Sequence, residues 1–99
     1  SIIGLSAVAP MTAAAGWRIE ATVSDGLSTL TGSQALSRLR LQTGSGIKLS
    51  RGLVFTRGPL GRAGRPTPIF VWAPMLGVRE VQAQLVGPGG AVVPVRWHL

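Results

Sequence analysis

VREVQAQLV, GPGG and AVVPVRW, residues 78–86, 87–90 and 91–97, carry the reading that decides the fold. In the first segment Val81, Ala83 and Leu85 alternate with Glu80, Gln82 and Gln84. In the third, Ala91, Val93, Val95 and Trp97 alternate with the residues between them. A period of two marks a strand with one buried face. Gly87-Pro88-Gly89-Gly90 between them is a turn by composition, so the whole predicts an antiparallel hairpin over 78–97. Pro94 has no N–H to give a ladder and suggests an edge strand or a pairing side that faces outward.

Working toward the N-terminus, Ile69 to Trp72 is an apolar run of strand length, ended by Pro74 and Gly77. Trp17 to Val23 alternates again, with Trp17, Ile19, Ala21 and Val23 on one side, and Ser24-Asp25-Gly26 closes it as a turn. Leu27 to Gly32 is a Ser/Thr/Gly-rich connection able to pair as a short strand. Ile47–Leu49 and Leu53–Thr56 read as two more short strands. Leu36 to Gln42 supports two readings. As a strand it buries Leu39 and Leu41 and exposes Arg38 and Arg40; as a helix it has Ser33 as N-cap and Gly44 as its stop. Gly58 to Pro68 reads as a loop. Its three Gly-x-y triplets are too few for a collagen helix, which needs long runs in three chains.

The fold class that follows is all-β: a small antiparallel sandwich or barrel of about six or seven short strands. Ninety-nine residues make one domain. Residues 17–99 form that β domain. Residues 1–16 carry no charge and read as an apolar N-terminal arm, docked on another subunit, or as a first strand. Ser1 suits a chain whose initiator Met was removed. Gly4, Pro10 and Gly16 interrupt the run, and about 20 apolar residues are needed to span a bilayer, so no membrane span is expected. Trp17, Trp72 and Trp97 sit in apolar strand faces and read as core.

From Phe70 onward, the apolar strand holding Trp72, the long alternating strand and the Gly-rich hairpin resemble the last strands of an immunoglobulin-like sandwich. The resemblance covers about thirty residues and concerns architecture alone. It carries neither the disulfide nor the tyrosine corner of that family, since the chain has no Cys and no Tyr.

Charge is distributed unevenly. Seven of the ten basic residues, Arg38, Arg40, Lys48, Arg51, Arg57, Arg62 and Arg65, lie between Asp25 and Glu80 with no carboxylate among them. The net charge of +7 therefore belongs to the middle of the chain and points to an acidic partner surface. Charged residues are only 13% of the chain against 45% apolar, which leaves few polar groups to cover a small domain. Either other chains are expected to cover part of the surface, the reading favoured here, or Ser, Thr and Gly dress the surface of a monomer.

No catalytic constellation is legible. The carboxylates are Glu20, Asp25 and Glu80, each read as a solvated surface charge, and the one His, His98, is next to the last residue. A Ser–His–Asp set assembled from Asp25, His98 and one of eight Ser lacks any nucleophile-elbow sequence. No ligand cluster for a metal and no phosphate loop is present, so neither cofactor nor metal is expected. Phe55 is the only aromatic among the basic residues, so contact with nucleic acid would be electrostatic and non-specific.

Three expectations follow. The first is a non-enzymatic structural subunit, homo-oligomeric or set among capsid or tail neighbours; in overall character the chain resembles small β-structured virion proteins of tailed phages, which implies location in a virion. The second is a basic nucleic-acid-binding module. The third is an immunoglobulin-like surface binding domain.

Overall fold

The computed structural model describes residues 3–10, 15–43, 50–60 and 66–98. Among the described residues nine strands form two sheets: β1 (Ile3–Pro10), β2 (Arg18–Ser24), β3 (Thr29–Ala35), β4 (Arg40–Leu41), β5 (Val54–Arg57), β6 (Pro66–Ala73), β7 (Glu80–Val86), β8 (Val92–Pro94) and β9 (Trp97–His98). Sheet A has the order β4-β5-β6-β1-β9 and sheet B the order β3-β2-β7-β8. All pairings are antiparallel except β4 with β5. The fold is a small β sandwich, with more strands than expected because short pieces bound its edges.

Alternation decides which side chains enter the core. Leu5, Ala7 and Ala9 of β1 and Ile69, Val71 and Ala73 of β6 point inward from sheet A, and Ile19, Ala21, Val23 and Leu85 meet them from sheet B. These residues form two buried clusters, and Phe55 and Trp97 pack against both. Residues 3–10 are thus a central core strand, paired on both sides, and the detached-arm alternative for this segment does not describe them.

The hairpin forms with Leu85 opposite Val93 and Val86 opposite Val92. Gly89 and Gly90 take φ of 72° and 81° in its turn, a region that favours glycine. Its second strand is shorter than the alternation implied. The Val95 N–H still donates to the Ala83 carbonyl at 3.1 Å, but two residues later Trp97 lies opposite Ala7 in the other sheet. That crossing leaves Val81 and Val95 half-buried and Val93 37% exposed, where full burial was expected.

Other expectations need correction. Within Leu36–Gln42, Leu36–Arg38 is one 3-10 turn and Arg40–Leu41 is the short strand β4, so the strand reading holds for only part of the segment, and Ser33 lies within β3. This corner carries the chain from sheet B to sheet A, burying Leu36 and Leu39 and leaving Leu41 45% exposed. Pro66 and Pro68 belong to β6 and not to a loop, because both lie opposite β1 in an unbroken register. Trp72 is not a core residue: it faces outward from sheet A. The expected strand Ile47–Leu49 lies outside the described residues.

Candidate interaction surfaces

The two outer faces differ in chemistry. On sheet B the outward side chains are those of a solvated antiparallel sheet: Glu20 and Thr22 on β2, Thr31 and Ser33 on β3, Gln82 and Gln84 on β7. Thr22 and Thr31 share a hydrogen bond at 3.1 Å, and the Arg18 Nε–H donates to Ser33 Oγ at 2.9 Å. A shallow polar depression of about 210 Å³ lies between Glu20, Thr31 and Gln82.

On sheet A the outward residues run in rows across the strands. One row is Val54, Trp72 and Gly4, the next is Arg40, Thr56, Phe70, Ser6 and His98, and a third pairs Pro68 with Val8. Among the described residues Arg40, at the sheet's edge, is the only Arg, Lys, Asp or Glu in these rows. Val8 is 54% exposed, in the row it shares with Pro68. The Trp72 ring lies over Gly4, where an added Cβ would stand 2.7 Å from a ring carbon, and its indole N–H donates to Thr56 Oγ1 at 3.0 Å. β6 is therefore apolar on both faces, which is the composition of a strand covered on both sides.

The basic stretch forms neither an outer face nor a groove. Arg40 and Arg57 lie on adjacent strands at the β4–β5 edge, Arg38 in the turn before β4 and Arg51 in the segment before β5. Thr56, the partner of Arg40, points outward, whereas Arg57 follows the inward parity and is half-buried, its Nη1 donating to the Gly58 carbonyl at 3.2 Å. Arg38, Arg40 and Arg51 are exposed, and no ion pair within 4 Å occurs among the described residues. The four arginines thus share an edge and not a sheet face, because β4 and β5 present successive residues to opposite sides. Lys48, Arg62 and Arg65 lie outside the described residues.

His98 Nε2 and Ser6 Oγ are 2.8 Å apart, a pair that nothing in the sequence signals because 92 positions separate them. A hydroxyl on an imidazole nitrogen is the first element of nucleophilic catalysis. Here it is the cross-strand rung of β1 with β9, on an exposed His, and no carboxylate hydrogen-bonds the ring among the described residues.

At the open side of the sandwich, where the chain crosses to β9, a cleft of about 260 Å³ lies between Leu5, Val81 and Trp97, with Arg79 and His98 at its rim. Trp97 Nε1 is buried with no hydrogen-bond partner. Asp25 accepts from the backbone N–H groups of Ser28 at 2.7 Å and Leu27 at 2.8 Å. Those bonds, the one to Ser28 foremost, hold its carboxyl below the usual carboxylate range. No helix among the described residues is long and apolar enough to cross a membrane.

Comparison with protein-family models, with curated proteins and with solved structures finds no match to this chain.

Proposed function

We infer that this chain is a non-enzymatic structural subunit that assembles with copies of itself through the outer face of sheet A. The observation that carries the reading is the cluster of Val8, Pro68, Phe70, Trp72 and Val54 on a face whose one Arg, Lys, Asp or Glu among the described residues is Arg40 at its edge, on a chain of net charge +7. An antiparallel sheet facing water presents polar side chains outward, as sheet B does. Sheet A sets Val54, Trp72, Phe70, Pro68 and Val8 among Thr56, Ser6 and His98, and burying the apolar ones contributes roughly 25 cal/mol per Å² removed from water. A second copy is the occupant that suits the face: it meets apolar rows with apolar rows and keeps the arginine edge outside the contact. The assembly we have in mind is a virion, with this chain as a decoration, head-fibre or tail component. Its small size, sparse charge and two-sided apolar sheet support that role.

The β4–β5 edge supports a second reading. Arg38, Arg40 and Arg51 are exposed without a carboxylate within ion-pair distance among the described residues, as phosphate-contacting residues would be.

The experiment is sedimentation of the purified chain and of Val8→Lys over a concentration series, beside a duplex DNA titration at two salt concentrations. Assembly reduced in Val8→Lys supports the structural reading. Assembly unchanged by that substitution rejects the face. DNA binding that falls steeply with salt, with the chain monomeric throughout, favours the second reading.

A further inference from the structure

Four strands bound the two sheets, and three of them are blunted in the ways that proteins use against edge-to-edge pairing. β4 and β9 have two residues each, and β8 has three, of which one is Pro94. The fourth, β3, is not blunted. It runs seven residues, Thr29-Leu30-Thr31-Gly32-Ser33-Gln34-Ala35, with no charge and no proline. Among the described residues nothing pairs with its outer side.

The direction of its backbone groups can be followed across the sheet. Val95 donates to Ala83, so odd residues of β7 face β8 and even residues face β2. Glu20 and Thr22 lie opposite Gln84 and Gln82, so even residues of β2 face β7 and odd ones face β3. In the β2–β3 register, Ile19, Ala21 and Val23 lie opposite Gln34, Gly32 and Leu30. The Leu36 N–H bonding the Trp17 carbonyl at 3.0 Å continues the same parity. Thr29, Thr31, Ser33 and Ala35 therefore turn their N–H and C=O groups to the free edge. This is a ready template for another strand.

We propose that β3 pairs antiparallel with β3 of a second copy, joining two four-stranded sheets into one continuous sheet about a two-fold axis at Gly32. Full overlap places Thr31 opposite Ser33 and Thr29 opposite Ala35 of the partner, four facing pairs with about eight hydrogen bonds at two for each pair. The ends of the strand fix the direction. Asp25 lies in the turn that enters β3, and Arg38 lies in the turn that leaves it. Antiparallel pairing sets the Arg38 turn of one copy at the Asp25 turn of the other, whereas parallel pairing would set like charge on like charge. This rests on the assembly reading and adds what that reading requires: one two-fold contact stops at a dimer, and a larger assembly needs a second, independent one.

Thr31→Pro tests it, because the lost N–H points to the free edge and the β2 ladder is kept. Thr31→Lys with Ser33→Lys is the second variant, placing like charges opposite each other across the axis. Sedimentation is measured at about 0.15 M salt, where surface charge is screened beyond roughly 8 Å, with the β content of each variant checked by circular dichroism. In the Val8→Lys background, where the sheet A contact is removed, the expected result is a dimer of twice the 10.3 kDa chain mass. Adding either edge variant should convert it to a monomer with its β content unchanged. A Val8→Lys chain that is monomeric by itself overturns the edge pairing while leaving the sheet A contact standing. A dimer that persists in both folded edge variants also overturns it. Register is read by cross-linking, since the chain has no Cys of its own. A mixture of Thr31→Cys and Ser33→Cys chains should form the mixed disulfide faster than either alone, and Thr31→Cys cross-linking to itself as fast would overturn the register.

Discussion

Leu85→Ala separates the two strands of the hairpin by their burial. Leu85 is 1% exposed and packs among Ile19, Ile69, Leu36 and Leu39. The substitution removes three carbon atoms, which at about 0.8 kcal/mol per buried methylene is about 2.4 kcal/mol of transfer free energy. The cavity left behind adds to it: about 60 Å³ that fails to collapse, at roughly 24 cal/mol per Å³, contributes about 1.4 kcal/mol more. The expected loss is thus about 4 kcal/mol, a large part of the 5–15 kcal/mol roughly typical of a domain. Val93 lies directly opposite Leu85 but is 37% exposed, so Val93→Ala should cost below about 1 kcal/mol. The assay is urea unfolding followed by fluorescence of the three tryptophans. Equal losses for the two variants, or a loss below about 1 kcal/mol for Leu85→Ala, would refute the burial assigned to β7 and β8.

Three further outcomes can be checked by the same unfolding measurement. Trp97→Phe removes a buried N–H that has no partner, so it should change stability by less than about 1 kcal/mol, whereas Trp97→Ala should cost about 3–5 kcal/mol. Gly4→Ala drives a Cβ to within 2.7 Å of the Trp72 ring, so the ring must shift, and a loss of about 1–3 kcal/mol should accompany a change in tryptophan emission. Asp25 has a folded-state pKa below its unfolded one, so its contribution is fully present above the usual carboxylate range and is lost as pH falls through the lowered value. Thermal scans from neutral to strongly acidic pH should therefore show a shallower acid decline in Asp25→Asn than in the wild type.

The sequence carried some elements plainly and hid others for physical reasons. Trp17–Val23 and Val78–Val86 were legible because each has one wet and one dry face, and a period of two then shows in the residue types. β1 and β6 are apolar on both faces. Their composition announces strands but cannot tell inward Ile69 and Val71 from outward Phe70 and Trp72, so Trp72 was assigned to the core. The corner at Leu36–Arg38 escaped because three residues are too few to show any period, and both alternatives fitted the spacing of Leu36, Leu39 and Leu41. The arginine run was visible as charge, yet its division between the two sides of β4 and β5 depends on strand parity. The Ser6–His98 pair and the long outer edge of β3, which no described residue pairs with, are products of topology. Pro94 marked the β8 edge, but β3 carries no such local mark.

The central claim is that the outer face of sheet A, with Val8, Phe70 and Trp72, is a contact between copies. It is tested most directly by sedimentation equilibrium of the wild type beside Val8→Lys, a substitution at a 54% exposed position that should leave folding within about 0.5 kcal/mol. The account predicts a wild-type mass that rises with concentration beyond that of a dimer, and a Val8→Lys chain that stops at the dimer with an unchanged melting temperature. A wild type that remains a 10.3 kDa monomer at every concentration, or a Val8→Lys chain that assembles as fully as the wild type, would contradict it.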